Sequence, residues 1–140
     1  MKKIPAIKTV MTPFPYSIEA DQTLDTAVAS MQSHSIHHLP VTQDGQLTGI
    51  ISNSAIQRRQ NDGEKSDLCV SDVMTTEFYT VDLSERLDSA LHRMAEHHLD
   101  TIVVTRKGKL AGIFTYVDAC AAFAEFLREQ VRRSGGDTAA

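Results

Sequence analysis

The chain contains two copies of one segment, 63 residues apart. Residues 10–56 align without a gap with residues 73–119, and 15 of the 47 aligned positions carry the same residue. Unrelated sequences of average composition would share about three. A segment of this length buries too little surface to be stable alone, whereas two copies packed together close a common core. The duplication therefore predicts one domain made from two similar halves.

Both copies carry the pattern of a β-α-β-β-α unit, so the predicted fold class is α+β. In each copy a short apolar strand precedes apolar residues at helical spacing, and two further apolar runs flank a glycine-containing turn before a last helix. Asp21 and Ser84 are the candidate N-caps of the first helices. The other predicted positions are strands at 16–18 and 79–81, helix faces of Leu24, Ala27, Val28, Met31 and of Leu87, Ala90, Leu91, Met94, turns at 43–46 and 106–109, and a last helix with the face Ala119, Ala122, Phe123, Phe126, Leu127.

The extent of the copies and the local polarity set the predicted boundaries. The first repeat spans residues 8–60, a linker spans 61–70, and the second repeat spans 71–127. The polar stretch 57–67 is interpreted as the connection between the copies. Residues 128–140 form a tail that lacks apolar residues at its end, where disorder is expected.

Charge and composition exclude several functional classes. The chain has 14 lysines and arginines against 18 acidic residues, a net charge of −4, which disfavours general binding to duplex nucleic acid or to an anionic membrane. No apolar run approaches the roughly 18–20 residues that span a bilayer, and the first residues lack the apolar stretch of a secretory signal. The expected location is the cytoplasm, with Cys69 and Cys120 as reduced thiols.

The junction between the last strand and the last helix of the second copy is the first candidate site. Thr115 follows the strand, and Asp118 opens the helix three residues later. Free N–H groups at a helix start attract anions, a threonine hydroxyl adds a donor, and a carboxylate can accept two hydrogen bonds from a vicinal diol such as that of ribose. The same two residues also make an ordinary N-terminal cap, which is the favoured interpretation on this motif alone.

Three histidines, His34, His37 and His38, form the second candidate site. Their imidazole N–H groups can donate to phosphate, and a protonated ring adds a positive charge near neutral pH. His34 and His38 have the i, i+4 spacing of a helical metal site, but Pro40 should end the helix before that pair can converge, and no third ligand has a familiar spacing. Solvated loop histidines are the simplest interpretation. No nucleophile–base pair, Walker loop or GxGxxG motif indicates an enzyme.

Taken together, these motifs resemble the cystathionine-β-synthase-type (CBS) domain. The resemblance rests on Val-Met-Thr at the start of each copy, on the segment 37–41 (His-His-Leu-Pro-Val), and on Gly-Ile-Ile-Ser and Gly-Ile-Phe-Thr at the two ends. It covers about residues 8–127, and two such copies in tandem look like a Bateman module of the stand-alone bacterial type. The resemblance implies a pseudo-twofold pair with two clefts between the repeats, and a regulatory binding module rather than an enzyme.

Carried over to this sequence, the resemblance implies two unequal clefts. The first has Asp118 to hold ribose. In the second, Ala55 replaces that carboxylate, and Asp100 stands where the first cleft has His37 and would repel phosphate. We therefore expect one competent nucleotide site and one degenerate cleft. The first cleft would be formed by Ser17, Ile18, Ile36, His37, His38, Pro40, Thr115, Tyr116, Val117 and Asp118, and the second by Ser52, Ala55, Thr80, Asp100 and Thr101.

The resemblance also implies the ligands and partners. Family clefts bind AMP, ADP or ATP and, in some members, NAD or S-adenosylmethionine, and no cofactor is required. A homodimer and an unidentified regulated protein are expected by the same analogy. Two alternatives stay open. One is a ligand-free structural dimer or adaptor that uses the apolar face Phe123, Phe126 and Leu127, and the other is an enzyme or metal protein built on the three histidines.

Overall fold

The structure is a computed structural model that describes residues 3–62 and 67–134. A short 3-10 turn, Ile7–Thr9, precedes the regular elements. These are β1 (Thr12–Pro13), β2 (Ile18–Glu19), α1 (Leu24–His34), β3 (His38–Gln43), β4 (Gln46–Ser52), α2 (Asn53–Asn61), α3 (Val70–Val73), β5 (Thr80–Asp82), α4 (Leu87–His97), β6 (Thr101–Arg106), β7 (Lys109–Thr115) and α5 (Tyr116–Arg133).

The predicted α+β class and the β-α-β-β-α order of each copy are confirmed. One sheet has the strand order β2-β3-β4 and the other the order β1-β7-β6-β5. Within each copy the short first strand runs parallel to the next, and the following two strands form an antiparallel hairpin. None of the described helices is long and apolar enough to cross a bilayer.

Both hairpins close through the same two-residue turn. Asp44 and Gly45 have φ angles of 53° and 81°, and Lys107 and Gly108 have 51° and 79°. Two successive positive φ angles define a type I′ turn, which matches the right-handed twist of the flanking strands. The predicted role of glycine at these turns is therefore confirmed, and the two hairpins share one backbone.

The helix caps predicted at Asp21 and Ser84 are wrong. Each lies inside a turn that precedes the helix, closed by Gln22 N–H to Glu19 O and by Glu85 N–H to Asp82 O. Ser84 instead donates from its backbone and hydroxyl to the Asp82 carboxylate, which lowers the pKa of Asp82.

The actual caps lie two residues further along the chain. Thr23 caps α1 by accepting from Thr26 N–H at 3.1 Å, whereas Arg86 at the start of α4 provides no side-chain cap.

The connection between the copies is shorter than its polarity predicted. Residues 57–61 form the second half of α2, because Ser52 caps that helix and the fully buried Ile56 anchors it. Val70 starts α3 and is fully buried in the first copy's core, so it is not linker. At the carboxyl end, α5 continues through residues 128–133 with ion pairs between Arg132, Arg133 and Glu129, and the predicted disorder beyond Ser134 lies outside the described residues.

The segment that leads into each copy packs on the other copy. Ile7 N–H donates to Glu85 O at 2.7 Å, and Val70 N–H donates to Gln22 O at 2.8 Å, which are equivalent contacts 63 residues apart. Ile7 is fully buried in the second copy's core beside Phe114, and Val70 is fully buried in the first copy's core. Neither core is complete without a residue from the other half of the duplication.

The repeated Val-Met-Thr motif forms the next part of this crossing. Thr12 pairs with Ile113 of β7, and Thr75 pairs with Ile50 of β4 through bonds of 2.9 and 3.0 Å. Each neighbouring methionine side chain lies over a glycine of the opposite copy. The identities of both copies at these positions therefore follow from one reciprocal contact.

Gly49 and Gly112 leave room only for hydrogen. A Cβ on Gly49 would lie 2.7 Å from Thr75 O and 2.8 Å from Met74 Sδ, and one on Gly112 would lie 2.9 Å from Thr12 O. We expect Gly49→Ala and Gly112→Ala each to lower the free energy of unfolding by about 1–3 kcal/mol, because the opposite copy must move away. Urea unfolding followed by circular dichroism measures this, with Gln46→Ala on the exposed part of β4 as a control that stays within about 0.5 kcal/mol. Unchanged stability in both glycine variants would contradict the close crossing.

Candidate functional site

A cavity of about 610 Å³ lies where the end of β7 and the start of α5 face the first copy. One wall comes from the second copy and the other from the residues around β1 and the turn after α1. The lining residues are Thr12, Pro13, Phe14, Pro15, Tyr16, His34, Ser35, Ile36, His37, His38, Ile113, Thr115, Tyr116, Val117 and Asp118.

Seven of the ten residues predicted for the first cleft line this cavity. Ile36, His37 and His38 lie on the first copy's wall, and residues 115–118 form the second copy's wall. The structure does not bring Ser17, Ile18 or Pro40 to the lining. Ile18 is buried in the first copy's core, where the parallel pairing of β2 with Val41 places it.

Pro40 lies on the opposite face of β3 from the core residues Leu39 and Val41. It is fully buried and pairs across the hairpin with Ile50, which is also buried. Ile50 contacts Thr75 of the second copy, so Pro40 lies against the junction between the copies, while His38 on the same face of β3 reaches the cavity.

Asp118 and Thr115 form a complete capping box at the start of α5. Thr115 N–H donates to Asp118 Oδ2 at 2.9 Å, and Asp118 N–H donates back to Thr115 Oγ1 at 3.3 Å. The cap interpretation of this motif is therefore confirmed. Because the bonds of the box to the carboxylate use Oδ2, they fix the side chain of Asp118 and leave Oδ1 outside the box.

Thr12 of the first copy completes the surroundings of Asp118. Its hydroxyl donates to Asp118 Oδ1 at 3.3 Å and lies 3.4 Å from Oδ2. Sequence reasoning missed Thr12 as a site residue, although the repeated Val-Met-Thr motif contains it. In the second copy, Ala55 stands where the first site has Asp118, so no carboxylate faces the equivalent Thr75. The Thr75 hydroxyl instead donates to Glu77 O and accepts from Glu77 N–H.

A stacked ring pair, Tyr16 and His34, forms the first copy's side of the cavity mouth. The ring centroids lie 3.5 Å apart with an angle of 17° between the planes, and His34 Nδ1 lies 2.9 Å from Ser30 O. The second copy repeats the pair as Tyr79 and His97, 4.8 Å apart. Sequence reasoning missed this pair, although both residues are identical in the two copies.

The cavity carries little fixed charge. Its described lining contains no lysine or arginine, one carboxylate and three histidines. His38 Nε2 lies 3.4 Å from Asp100 Oδ2, so this histidine links the first cavity with the equivalent cavity on the other side of the molecule. The hydrogen-bond donors at the site are therefore the histidine rings and the start of α5, where Tyr116 N–H already donates to Asp100 O and Asp118 N–H to Thr115 Oγ1.

The histidines do not converge as metal ligands. His34 ends α1, whereas His38 begins β3 and points to Asp100. Within residues 3–62 and 67–134, no group of three histidine, cysteine, aspartate or glutamate side chains is arranged to hold a metal ion.

The second cavity is smaller, about 250 Å³, and is lined by residues at positions equivalent to much of the first. Ser52, Ala55, Asp100 and Thr101 lie there as expected, but Thr80 does not. Sequence reasoning missed Arg58, which places a cation in the same cavity as Asp100. Arg58 lies on α2, one turn after Ala55, and its helical spacing was the available signal.

Comparison with known proteins agrees with this architecture. The CBS domain family model matches residues 7–61 and again residues 70–125. The chain belongs to the CBS domain family. The CBS domain-containing protein YhcV of Bacillus subtilis is 27% identical over 114 residues, which are 81% of each chain. The family resemblance stated from the sequence is therefore confirmed.

Two solved structures of related pairs contain adenosyl ligands. The CBS domain pair of protein MJ0100, in complex with methylthioadenosine and S-adenosyl-L-methionine, superposes with a TM-score of 0.81 at 22% identity, over 88% of this chain and 98% of that one. CBSX2 in complex with AMP superposes with a TM-score of 0.79 at 23% identity, over 89% and 99% of the chains. Both likenesses concern the fold.

Proposed function

We propose that this chain is a non-catalytic regulatory module that binds an adenine nucleotide or a related adenosyl ligand in the first cavity. The observation that carries the proposal is that one cavity combines a fixed carboxylate, Asp118, with His37 and His38 from the other copy. Related pairs that hold AMP or S-adenosylmethionine and methylthioadenosine support it.

Each part of the cavity suits one part of such a ligand. Asp118 Oδ1 is available to a ribose diol once the Thr12 hydroxyl yields, while Oδ2 stays in the capping box. At the start of α5, Tyr116 N–H donates to Asp100 O and Asp118 N–H donates to Thr115 Oγ1, so Val117 N–H and the histidine N–H groups are the donors that can receive an oxyanion. Half-exposed rings at Tyr16 and Tyr116 offer apolar surface to a base.

The charge of the lining favours ligands with little negative charge. No lysine or arginine among the described lining residues offsets a polyphosphate, and the Asp118 carboxylate adds repulsion. We therefore expect AMP or an uncharged adenosyl thioether to bind with higher affinity than ATP.

The second cavity lacks the features that define the first. Ala55 replaces the carboxylate, the volume falls from about 610 to about 250 Å³, and Asp100 is already paired with His38. The chain therefore has one competent site. Because that site takes its walls from both copies, an occupied cavity stabilises their relative arrangement, which is the change that an unidentified regulated protein can detect.

A ligand-free structural role is the second candidate. It is favoured by the closed hydrogen bonds of Asp118, since Thr12 and Thr115 already satisfy the carboxylate without a ligand. If no adenosyl compound binds, the ligand-free structural role is the candidate that is supported.

The exposed face of α5 suits a second copy of the chain. Ala119 and Ala122 pack on the second core, while Phe123, Phe126 and Leu127 are about half exposed. The two phenylalanine rings are nearly parallel, 6.2 Å apart. Two apolar faces on one surface helix indicate that one of them is covered by a partner, and a homodimer is the occupant that we propose.

Isothermal titration with AMP, ATP, methylthioadenosine and S-adenosylmethionine tests the proposed site. We expect saturation at one ligand per chain, with ATP binding more weakly than AMP because the cavity lacks fixed cations. Saturation at two ligands per chain would contradict the degenerate second cavity, and tighter binding of ATP would contradict the charge argument.

Replacement of Asp118 separates ribose recognition from helix capping. We expect Asp118→Ala to weaken AMP binding by about 1.5–3 kcal/mol, because a charged hydrogen-bonding partner is lost. Asp72→Ala is the matched control, since Asp72 forms a similar box with Cys69 N–H at the start of α3 but does not line the cavity. Equal AMP affinity in wild type and Asp118→Ala would remove this residue from the site.

The dimer face is tested by light scattering coupled to gel filtration. We expect the wild-type chain to elute with twice the mass of one chain, and Phe123→Ser combined with Phe126→Ser to elute as a monomer, because the apolar stripe is interrupted. Ile4→Ser is the control, since Ile4 is also an exposed apolar residue but lies outside α5 and lines neither the two cavities nor the groove at the β6–β7 turn. A dimer that survives the double substitution would exclude this face.

A further inference from the structure

The turn between β6 and β7 carries a compact positive patch. Arg106, Lys107 and Lys109 are all exposed, and none of them has an ion-pair partner within the part of the chain that the structure describes. Together with Phe14, Leu110 and Ala111 they line a shallow groove of about 330 Å³. The groove thus has an apolar floor and a cationic rim on a chain whose net charge is −4.

The first copy shows that the fold does not require this chemistry. Its equivalent hairpin has the same turn geometry but carries Gln43, Asp44 and Gln46 at the three cationic positions. The position equivalent to Phe14 is Glu77. One backbone therefore supports a neutral-to-acidic surface in the first copy and a cationic, apolar surface in the second.

Phe14 is held in an unusual conformation. Its side chain is 89% exposed and its φ is 46°, in the left-handed region that a bulky residue rarely adopts. The backbone is fixed there by Phe14 N–H donating to Ala111 O at 3.0 Å on the outer edge of β7. A strained backbone that presents a large apolar ring to solvent is a feature of binding surfaces.

We propose that this groove is a docking site for an acidic segment of a partner protein that carries an aromatic or aliphatic anchor. The three cations pair with carboxylates, and the anchor packs against Phe14, Leu110 and Ala111. A free phosphate would use only the rim. A nucleic acid strand needs a longer basic track than one hairpin supplies.

The groove also adjoins the ligand site. Phe14 lines both the groove and the first cavity, so a docked segment and a bound ligand contact the same residue. This last point rests on the proposed function, whereas docking of the acidic segment does not.

Transplanting the first copy's turn into the second tests the proposal. Arg106→Gln, Lys107→Asp and Lys109→Gln together reproduce a hairpin that this chain already folds at residues 43–46. Random peptides displayed on phage are selected on wild type at low salt, and the enriched sequences are synthesised with a fluorophore for anisotropy titration. We expect enrichment of aspartate and glutamate beside an aromatic or aliphatic residue, with affinity weakened by about tenfold or more in the triple variant and by added salt.

A converse variant and the AMP titration complete the design. Gln43→Arg, Asp44→Lys and Gln46→Lys place three cations on the first hairpin, where Glu77 replaces Phe14, and should add no second binding site. No acidic enrichment, equal binding by the triple variant, preference for a single-stranded oligonucleotide, or conversion of a dimer to monomer by the triple variant would each overturn the proposal. Failure of AMP binding with intact peptide binding would overturn only the proposed ligand site.

Discussion

The structure depends on a reciprocal crossing in which each half of the duplication completes the other. Ile7 is buried in the second copy's core, and Val70 is buried in the first copy's core. A few residues after each of them, a methionine packs over a glycine of the opposite copy. The two copies are closely packed at this contact, because a Cβ on Gly49 or Gly112 would force atoms of the opposite copy to move. Shared burial of this kind makes the two halves one cooperative unit, and it places the end of β7 against the residues that follow β1.

On this nearly symmetric frame the two cavities have diverged in chemistry. Asp118 and Thr12 meet across the copies in one cavity, while Ala55 leaves Thr75 to bond within its own loop in the other. The hairpins diverge in the same way, with cations at 106–109 against glutamine and aspartate at 43–46. Since the backbone geometry is retained on both sides, the fold itself does not require these differences.

Much of this architecture could be predicted from the duplication and from local periodicity. The hairpins followed from Asp-Gly and Lys-Gly turns, and the first helices from apolar residues at helical spacing. The strand–hydroxyl–carboxylate pattern singled out Thr115 and Asp118, while the placement of residues 115–118 in a cleft was what the family resemblance implied. Long-range contacts could not be predicted in this way. Val70 is buried although the residues before it in sequence are polar. Helix α1 starts at Leu24 and not after Asp21, because residues 19–22 form a turn closed by Gln22 N–H to Glu19 O.

The same limit explains the missed site residues. Thr12 and Tyr16 face the first cavity only because of how the copies cross, and no local pattern shows that orientation, whereas the helical spacing of Arg58 from Ala55 was a local signal. Pro40 was assigned to the cleft by resemblance, yet strand alternation places it on the face between the sheets. The identities shared by both copies at Thr12, Tyr16 and His34 were the available signal, and they acquire meaning once the contacts are known.

The capping box at Asp118 has a consequence for the thermodynamics of recognition. The carboxylate rotamer is already fixed by folding, so a ligand that engages Oδ1 does not have to immobilise that side chain. The one bond it displaces joins the two copies through Thr12. On the function proposed above, occupancy exchanges an intramolecular tether for a bridging molecule, while the backbone pairing of Thr12 with Ile113 keeps the amino-terminal strand in place.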